Sequence, residues 1–258
     1  MSAATPALQV ENVTVRFGGI TALDKVSFSM TGGHIVGLIG PNGAGKTTLF
    51  NCLSRLYSFT DGRILYEGRS LTDTPPHGIA SLGIGRTFQN LALFRTMSVR
   101  QNIMLGGHAR THSGFFANAL RLPAVRREEE RLAQHTDELL DLLDLQSVAA
   151  TPVMDLPFGT QKRVELGRAL AMEPDLLLLD EPMAGMNLEE KEDMSRFIVD
   201  VNRQRGTTIA LIEHDMGVVM DLSDRVVVLD YGKKIADGTP DAVKSDRHVI
   251  DAYLGVAH

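Results

Sequence analysis

The stretch that most constrains this chain is Gly40-Pro41-Asn42-Gly43-Ala44-Gly45-Lys46-Thr47, a G-x-x-x-x-G-K-[ST] loop. The apolar run Ile35-Val36-Gly37-Leu38-Ile39 precedes it and reads as a buried strand. A helical pattern follows, with Leu49, Leu53 and Leu56 expected on one face. Strand, glycine loop and helix form the context in which this pattern holds phosphate. Glycines let backbone N–H groups approach phosphate oxygens closely, and the helix N-terminus adds partial positive charge. Lys46 can bridge β- and γ-phosphates, and the Thr47 hydroxyl can ligate Mg²⁺.

Composition narrows what surrounds the loop. The 258 residues are 43% hydrophobic and 22% charged, ordinary for a globular chain and enough for one large α/β domain with a subdomain. A formal net charge of −6 gives no reason to expect nucleic acid as a partner. The sequence holds no run of 18 apolar residues, so no segment reads as membrane-spanning. MSAATPALQV lacks the charged and apolar regions of a signal peptide. The lone Cys52 cannot support a disulfide framework, which fits a reducing compartment, and it reads as a small core residue.

Around the loop the periodicity alternates between strand and helix. Residues 8–17 and 26–30 alternate as strands, and residues 61–67 read as a further hairpin element, so the opening is an antiparallel β-subdomain. Phe17 stands at the end of the first strand, where an adenine ring can stack on it or where it packs as a core aromatic. Residues 99–107 look helical, and a charged helix is expected from about Ala124 to Leu143. Its run Arg126-Arg127-Glu128-Glu129-Glu130-Arg131 reads as a solvated face, and Leu132, Leu139, Leu142, Leu143 and Leu145 supply the apolar side. This stretch reads as a helical subdomain inserted into the α/β core.

Leu156 to Gln161 reads as a loop opening a helix that runs to about Met172. Leu176-Leu177-Leu178-Leu179 is an apolar strand of the kind buried on both faces of a parallel sheet, and Asp180-Glu181 caps it. Carboxylates at such a strand end lie at the crevice where open α/β sheets bind ligands. Asp180 is therefore expected to hold Mg²⁺ and Glu181 to polarise a water as general base. Thr207 to Ile212 is another buried strand, which ends in Glu213-His214-Asp215 and brings His214 to the same edge. Residues 224–236 read as a hairpin, and one final helix is expected over about residues 241–254.

Together these motifs resemble the ATP-binding subunit of an ABC transporter, over nearly the whole chain. The phosphate loop, a glutamine loop at Gln89, a signature loop at Leu156, the Asp180-Glu181 strand and the histidine at 214 occur in that family's order. The resemblance implies a P-loop NTPase α/β core: residues 1–95 and 156–258 form the β-subdomain and core, and 96–155 the helical insert. It implies ATP and Mg²⁺ as ligands. Phe17 would stack on adenine, and Gly40, Pro41, Asn42, Gly43, Ala44, Gly45, Lys46, Thr47 and Thr48 would hold phosphates. Thr47, Gln89 and Asp180 would serve the metal. Gln89 would also reach the attacking water and link the site to a membrane partner. Glu181 would be the base, and His214 would contact the γ-phosphate. Phe158, Gly159 and Thr160 would close over nucleotide held by a second subunit.

Two departures stand out. The family's Leu-Ser-Gly-Gly-Gln is here Leu156-Pro157-Phe158-Gly159-Thr160, so the serine hydroxyl is gone and Pro157 has no N–H. The loop Met183-Ala184-Gly185-Met186-Asn187 ends in Asn where most members have Asp. Such features, with Ser113 to Leu122 and Ala252-Tyr253-Leu254-Gly255, look like subunits of branched-chain amino acid importers. Those subunits work with transmembrane permeases and usually a second, related ATPase. The expected location is cytoplasmic, on the inner face of the plasma membrane. Other cargoes (another amino acid, urea, an envelope lipid) and a soluble ATP-driven switch are the alternatives.

Overall fold

Each position of β3 (Ile35–Ile39), β7 (Leu176–Asp180) and β8 (Thr208–Ile212) is buried. In the computed structural model, which describes residues 7–87, 91–108 and 123–254, these strands are the middle of a six-stranded sheet. Its order is β10 (Lys233–Gly238), β9 (Arg225–Asp230), β3, β8, β7, β6 (Ile84–Arg86). All neighbours are parallel except β10, which returns antiparallel on β9. The second sheet is antiparallel, in the order β2 (Ile20–Met30), β1 (Leu8–Phe17), β4 (Asp61–Tyr66), β5 (Arg69–Ser70).

Period-two alternation along β7 joins the two halves of the core. Leu176 and Leu178 face a cluster containing Leu8, Val10, Leu23, Phe50 and Leu229, which joins the antiparallel sheet to the core across α1 (Lys46–Leu53). Leu177 and Leu179 face the opposite cluster with Leu139, Leu143, Val164 and Phe197. Those side chains come from or adjoin α3 (Pro123–Leu142), α4 (Phe158–Leu170) and α5 (Leu188–Arg205). Helix α2 (Val99–Gly107) starts from a full capping box between Ser98 and Gln101 and adds Val99 and Ile103 to this cluster. The charge run of α3 is largely solvated, with Arg126 and Glu130 paired one turn apart. Among the described residues no helix is long and apolar enough to cross a membrane.

Two local expectations change, and one strand is new. Leu49 and Leu53 are buried on α1, but Leu56 lies past its end and is 56% exposed. Arg55 takes a left-handed φ of 58°, which stops the helix before Leu56 can join its face. The final helix is two: α6 (Pro240–Lys244) and α7 (Arg247–Leu254). Thr239 caps the first, and Asp246 accepts from the His248 N–H at 2.8 Å to start the second. Residues 84–86 form an edge strand that the sequence does not announce, because three residues show no period and their partners begin at Leu176.

Helices α2 and α4 approach so closely that a Cβ on Gly106 would sit 2.0 Å from the Arg168 carbonyl oxygen. We expect Gly106→Ala to force the helices apart and destabilise the chain by about 1–3 kcal/mol, the usual range for overpacking. Urea denaturation checks this, and an unchanged midpoint would show that the approach is loose.

Candidate functional site

The loop between β3 and α1 is shaped by backbone that only glycine adopts without strain. Gly40 has φ 148°, and a Cβ there would lie 2.0 Å from the Leu229 carbonyl oxygen. Gly45, with φ 102°, is the N-cap of α1 and offers no side chain to it. The first-turn amides of α1 therefore have no side-chain cap, which suits an anion. Lys46 is buried and folds back over the loop, donating from Nζ to the carbonyls of Gly40 at 2.6 Å and Pro41 at 3.0 Å. Burial lowers its pKa, and the nearby charges of Glu181 and Asp180 oppose that shift. A cleft of about 200 Å³ is lined by Ala22, Asn42 through Thr48, Glu181 and His214.

Asp180 ends β7 at 1% exposure. Its Oδ2 accepts from Arg86 Nη2 at 2.9 Å, and Arg86 Nη1 donates to Asn51 Oδ1 at 2.8 Å and Ser54 Oγ at 2.6 Å. The guanidinium also lies over the Phe50 ring, 5.8 Å from its centroid. One arginine thus fastens β6, β7 and α1 together. Burial pushes the Asp180 carboxyl above the usual carboxylate range, and the Arg86 bond pulls it back. Its Oδ1 is buried without a hydrogen-bond partner. An orphaned carboxylate oxygen at this strand end is the kind of hard donor that suits a cation such as Mg²⁺. Sequence reasoning missed Arg86; its signal is a lone arginine leaving a Gly-Ile-Gly stretch toward Gln89.

Glu181 follows in a left-handed conformation, φ 51°, with its N–H donating to the Ile212 carbonyl at 2.9 Å. Its Oε1 is 2.8 Å from His214 Nε2. A carboxylate only accepts, so the ring donates from Nε2. Met183 N–H donates to the buried Glu213 carboxylate at 2.7 Å. Sequence reasoning also left Glu213 without a role.

The remaining candidates lie apart from this cleft or outside the description. Phe17 is 46% exposed, so it is not a core aromatic; its ring meets Tyr57 edge-on with centroids 5.3 Å apart. Phe158, Gly159 and Thr160 form the first turn of α4 rather than part of a loop, and they do not line the phosphate cleft. Gly159 lies against Glu190, where a Cβ would be 2.2 Å from Oε1. Asn187 is the N-cap of α5, and its Oδ1 accepts from the Glu190 N–H at 3.0 Å. Gln89 lies outside the described residues, as do Ser113 to Leu122 and Gly255.

Residues 23–184 match the family model for the ABC transporter. Residues 233–258 match that of the branched-chain amino acid ATP-binding cassette transporter. The chain is 39% identical, over 98% of its length and 99% of the relative's, to the high-affinity branched-chain amino acid transport ATP-binding protein BraF of Pseudomonas aeruginosa. It is 33% identical, over 96% of its length and 97% of the relative's, to the lipopolysaccharide export system ATP-binding protein LptB of Haemophilus influenzae. The solved ADP conformation of an ATP-binding cassette of an ABC transporter superimposes with a TM-score of 0.84. Identity there is 30%, covering 97% of this chain and 99% of that one.

Removing the guanidinium tests the buried ion pair. We expect Arg86→Met to strand the Asp180 carboxylate and cost about 3–5 kcal/mol, as breaking buried pairs does. Adding Asp180→Asn should recover much of that loss, because no charge is then left buried. Urea denaturation of both variants measures it.

Proposed function

The chain belongs to the ABC transporter family, and from that premise we propose that it binds and hydrolyses ATP to power an importer of branched-chain amino acids. The observation that carries the catalytic part is the Glu181–His214 contact at 2.8 Å across the mouth of the phosphate cleft. The cargo reading is supported by the match of residues 233–258 and by likeness to BraF. The lower identity to LptB weighs against an envelope lipid.

In this reading, the first-turn amides of α1 and the Lys46 ammonium hold the β- and γ-phosphates in place of the loop carbonyls that Lys46 now contacts. Thr48 and the backbone of Gly40 to Gly45 complete the cradle. Phe17, braced by Tyr57, presents an aromatic face for adenine. Thr47, Asp180 and Gln89 would hold Mg²⁺. The ion, when bound, offsets phosphate charge and orients the γ-phosphoryl group. Glu181 takes the proton of the attacking water, and the His214 Nε2–H that now orients this carboxylate is the donor available to the γ-phosphate. A positioned general base contributes about 10²–10⁴-fold.

Because Phe158, Gly159 and Thr160 do not line this chain's own cleft, we read them as the surface that closes over nucleotide on a second ATPase subunit. That partner is a related chain or a second copy of this one. We read residues 96–155 as a helical subdomain that, with the Gln89 loop, transmits closure to transmembrane permease subunits. A second cleft of about 250 Å³, lined by Ala92, Leu105, Gly106, Glu165 and Arg168, offers a seat for them. The chain then works peripherally at the cytoplasmic face of the membrane, with no role for nucleic acid.

Two outcomes follow. Glu181→Gln should reduce phosphate release by about 10²–10⁴-fold while nucleotide affinity stays within a few-fold, since the base is lost and the cradle is not. Release near the wild-type rate would remove Glu181 as base. The same variant, tagged and held in ATP, should retain polytopic membrane proteins and a second ATPase from detergent-solubilised membranes. Recovery of ribosomes or nucleic acid instead would point to a soluble switch.

A further inference from the structure

Glu213 carries a carboxylate into the protein interior at 5% exposure, one residue past the end of β8. Among the described residues no ion pair reaches it. Its two oxygens are used separately. Oε1 accepts from the Met183 N–H at 2.7 Å, and Oε2 accepts from the His214 N–H at 3.2 Å. Burial raises its pKa, and those two backbone bonds act against the rise. A buried carboxylate without a cation is costly to keep, so its partners deserve an account.

Those partners lie on the two segments that carry the catalytic pair. Met183 follows Glu181 by two residues, and His214 is Glu213's own neighbour. The same segments are joined twice more, by Glu181 N–H to the Ile212 carbonyl at 2.9 Å and by His214 Nε2 to Glu181 Oε1 at 2.8 Å. Residues 181–183 and 212–214 are thus stitched at three levels. Glu181 needs such a stitch. A left-handed φ in a non-glycine residue is unfavourable, and it persists only where the surroundings over-determine it.

We propose that Glu213 is a positioning residue for ATP hydrolysis, its carboxylate holding the Met183 and His214 amides so that Glu181 and His214 keep their mutual geometry. The proposal rests on the reading of Glu181 as base. It explains the residue type. Two converging N–H donors need two acceptors; a carboxylate has two, whereas a carboxamide turns its NH₂ against one of the amides. Aspartate has the charge but is one methylene short of the Met183 amide.

The test measures kcat, KM for ATP, nucleotide affinity and thermal midpoint for Glu213→Gln and Glu213→Asp, each with His214 present and with His214→Ala. With His214 present, Glu213→Gln should lower kcat about 5- to 100-fold, the rate equivalent of one buried hydrogen bond, with KM and affinity within about twofold. Glu213→Asp should show the same split to a smaller degree. In the His214→Ala chain the Glu213→Gln effect on residual turnover should shrink to within about twofold, because groups acting as a unit are not additive. Unchanged kcat, parallel loss of kcat and affinity, or an equal loss in both backgrounds would overturn the proposal. So would failure of both variants to fold under conditions where Asn187→Ala folds, which would assign Glu213 to stability alone. Glu181→Gln, run alongside, separates the two questions: wild-type turnover there removes the base itself, whatever Glu213 does.

Discussion

The parallel register of three central strands decides where the chemistry can be. Leu38 of β3 and Asp180 of β7 both pair with Ile212 of β8. One rung of hydrogen bonding therefore aligns the three strand ends, and the residues just beyond them emerge at one edge. Those residues are the glycine loop, the Asp180-Glu181 pair and Glu213-His214. No individual side chain is responsible for this convergence. It follows from strands apolar enough to be buried on both faces, which must run parallel under flanking helices. A one-residue slip of β7 would turn Leu176 and Leu178 toward the wrong cluster and carry Asp180 away from Arg86.

Converging strand ends also concentrate charge, and the two segments at the edge handle it differently. Asp180 is matched by a rigid cation whose other donors are committed to α1, so its position is tied to the helix that starts the phosphate loop. Glu213 has no cation partner among the described residues and is held by amides instead. Glu181 lies between them, strained in backbone and bonded to His214 at an exposed ring. The rigid, dry groups surround the one pair left open to a ligand. That ordering matches a site in which the reacting carboxylate must be oriented yet reachable.

How much of this was legible depended on whether a signal was local. The glycine loop, the β7 carboxylates and His214 each follow a continuous apolar strand, so periodicity and strand ends locate them without the fold. Core assignments on and just after α3 were legible for the same reason: Leu132, Leu139 and Leu143 repeat at helical spacing. What was hidden depended on distant partners. β6 is three residues whose ladder begins at Leu176, and Arg86 matters only once β6 places it beside Asp180. Glu213 reads as an ordinary acid until Met183 arrives from another loop. Leu56 fit the helical period, but a left-handed Arg55 ended the helix first, a backbone choice that side-chain spacing does not encode.

The two departures from the family pattern differ in kind when each is set in its local structure. Asn187 takes up a requirement that Asp would also meet, since either side chain accepts the Glu190 N–H at the N-cap of α5. Pro157 also suits its place: its φ of −55° leads into α4, and its missing N–H is one a helix start leaves unpaired anyway. Folding is therefore indifferent to both changes. The Phe158 ring then lies against Gly185, where a Cβ would come within 3.1 Å of Cε1, so the α4 start and the loop after Glu181 are packed as one surface. If that surface closes on a partner's nucleotide, the lost serine hydroxyl removes a charge-directed donor worth roughly 1.5–3 kcal/mol, while the surface keeps its shape. In a dimer with a chain that keeps the serine, the two ATP sites would then differ in their hold on the γ-phosphate.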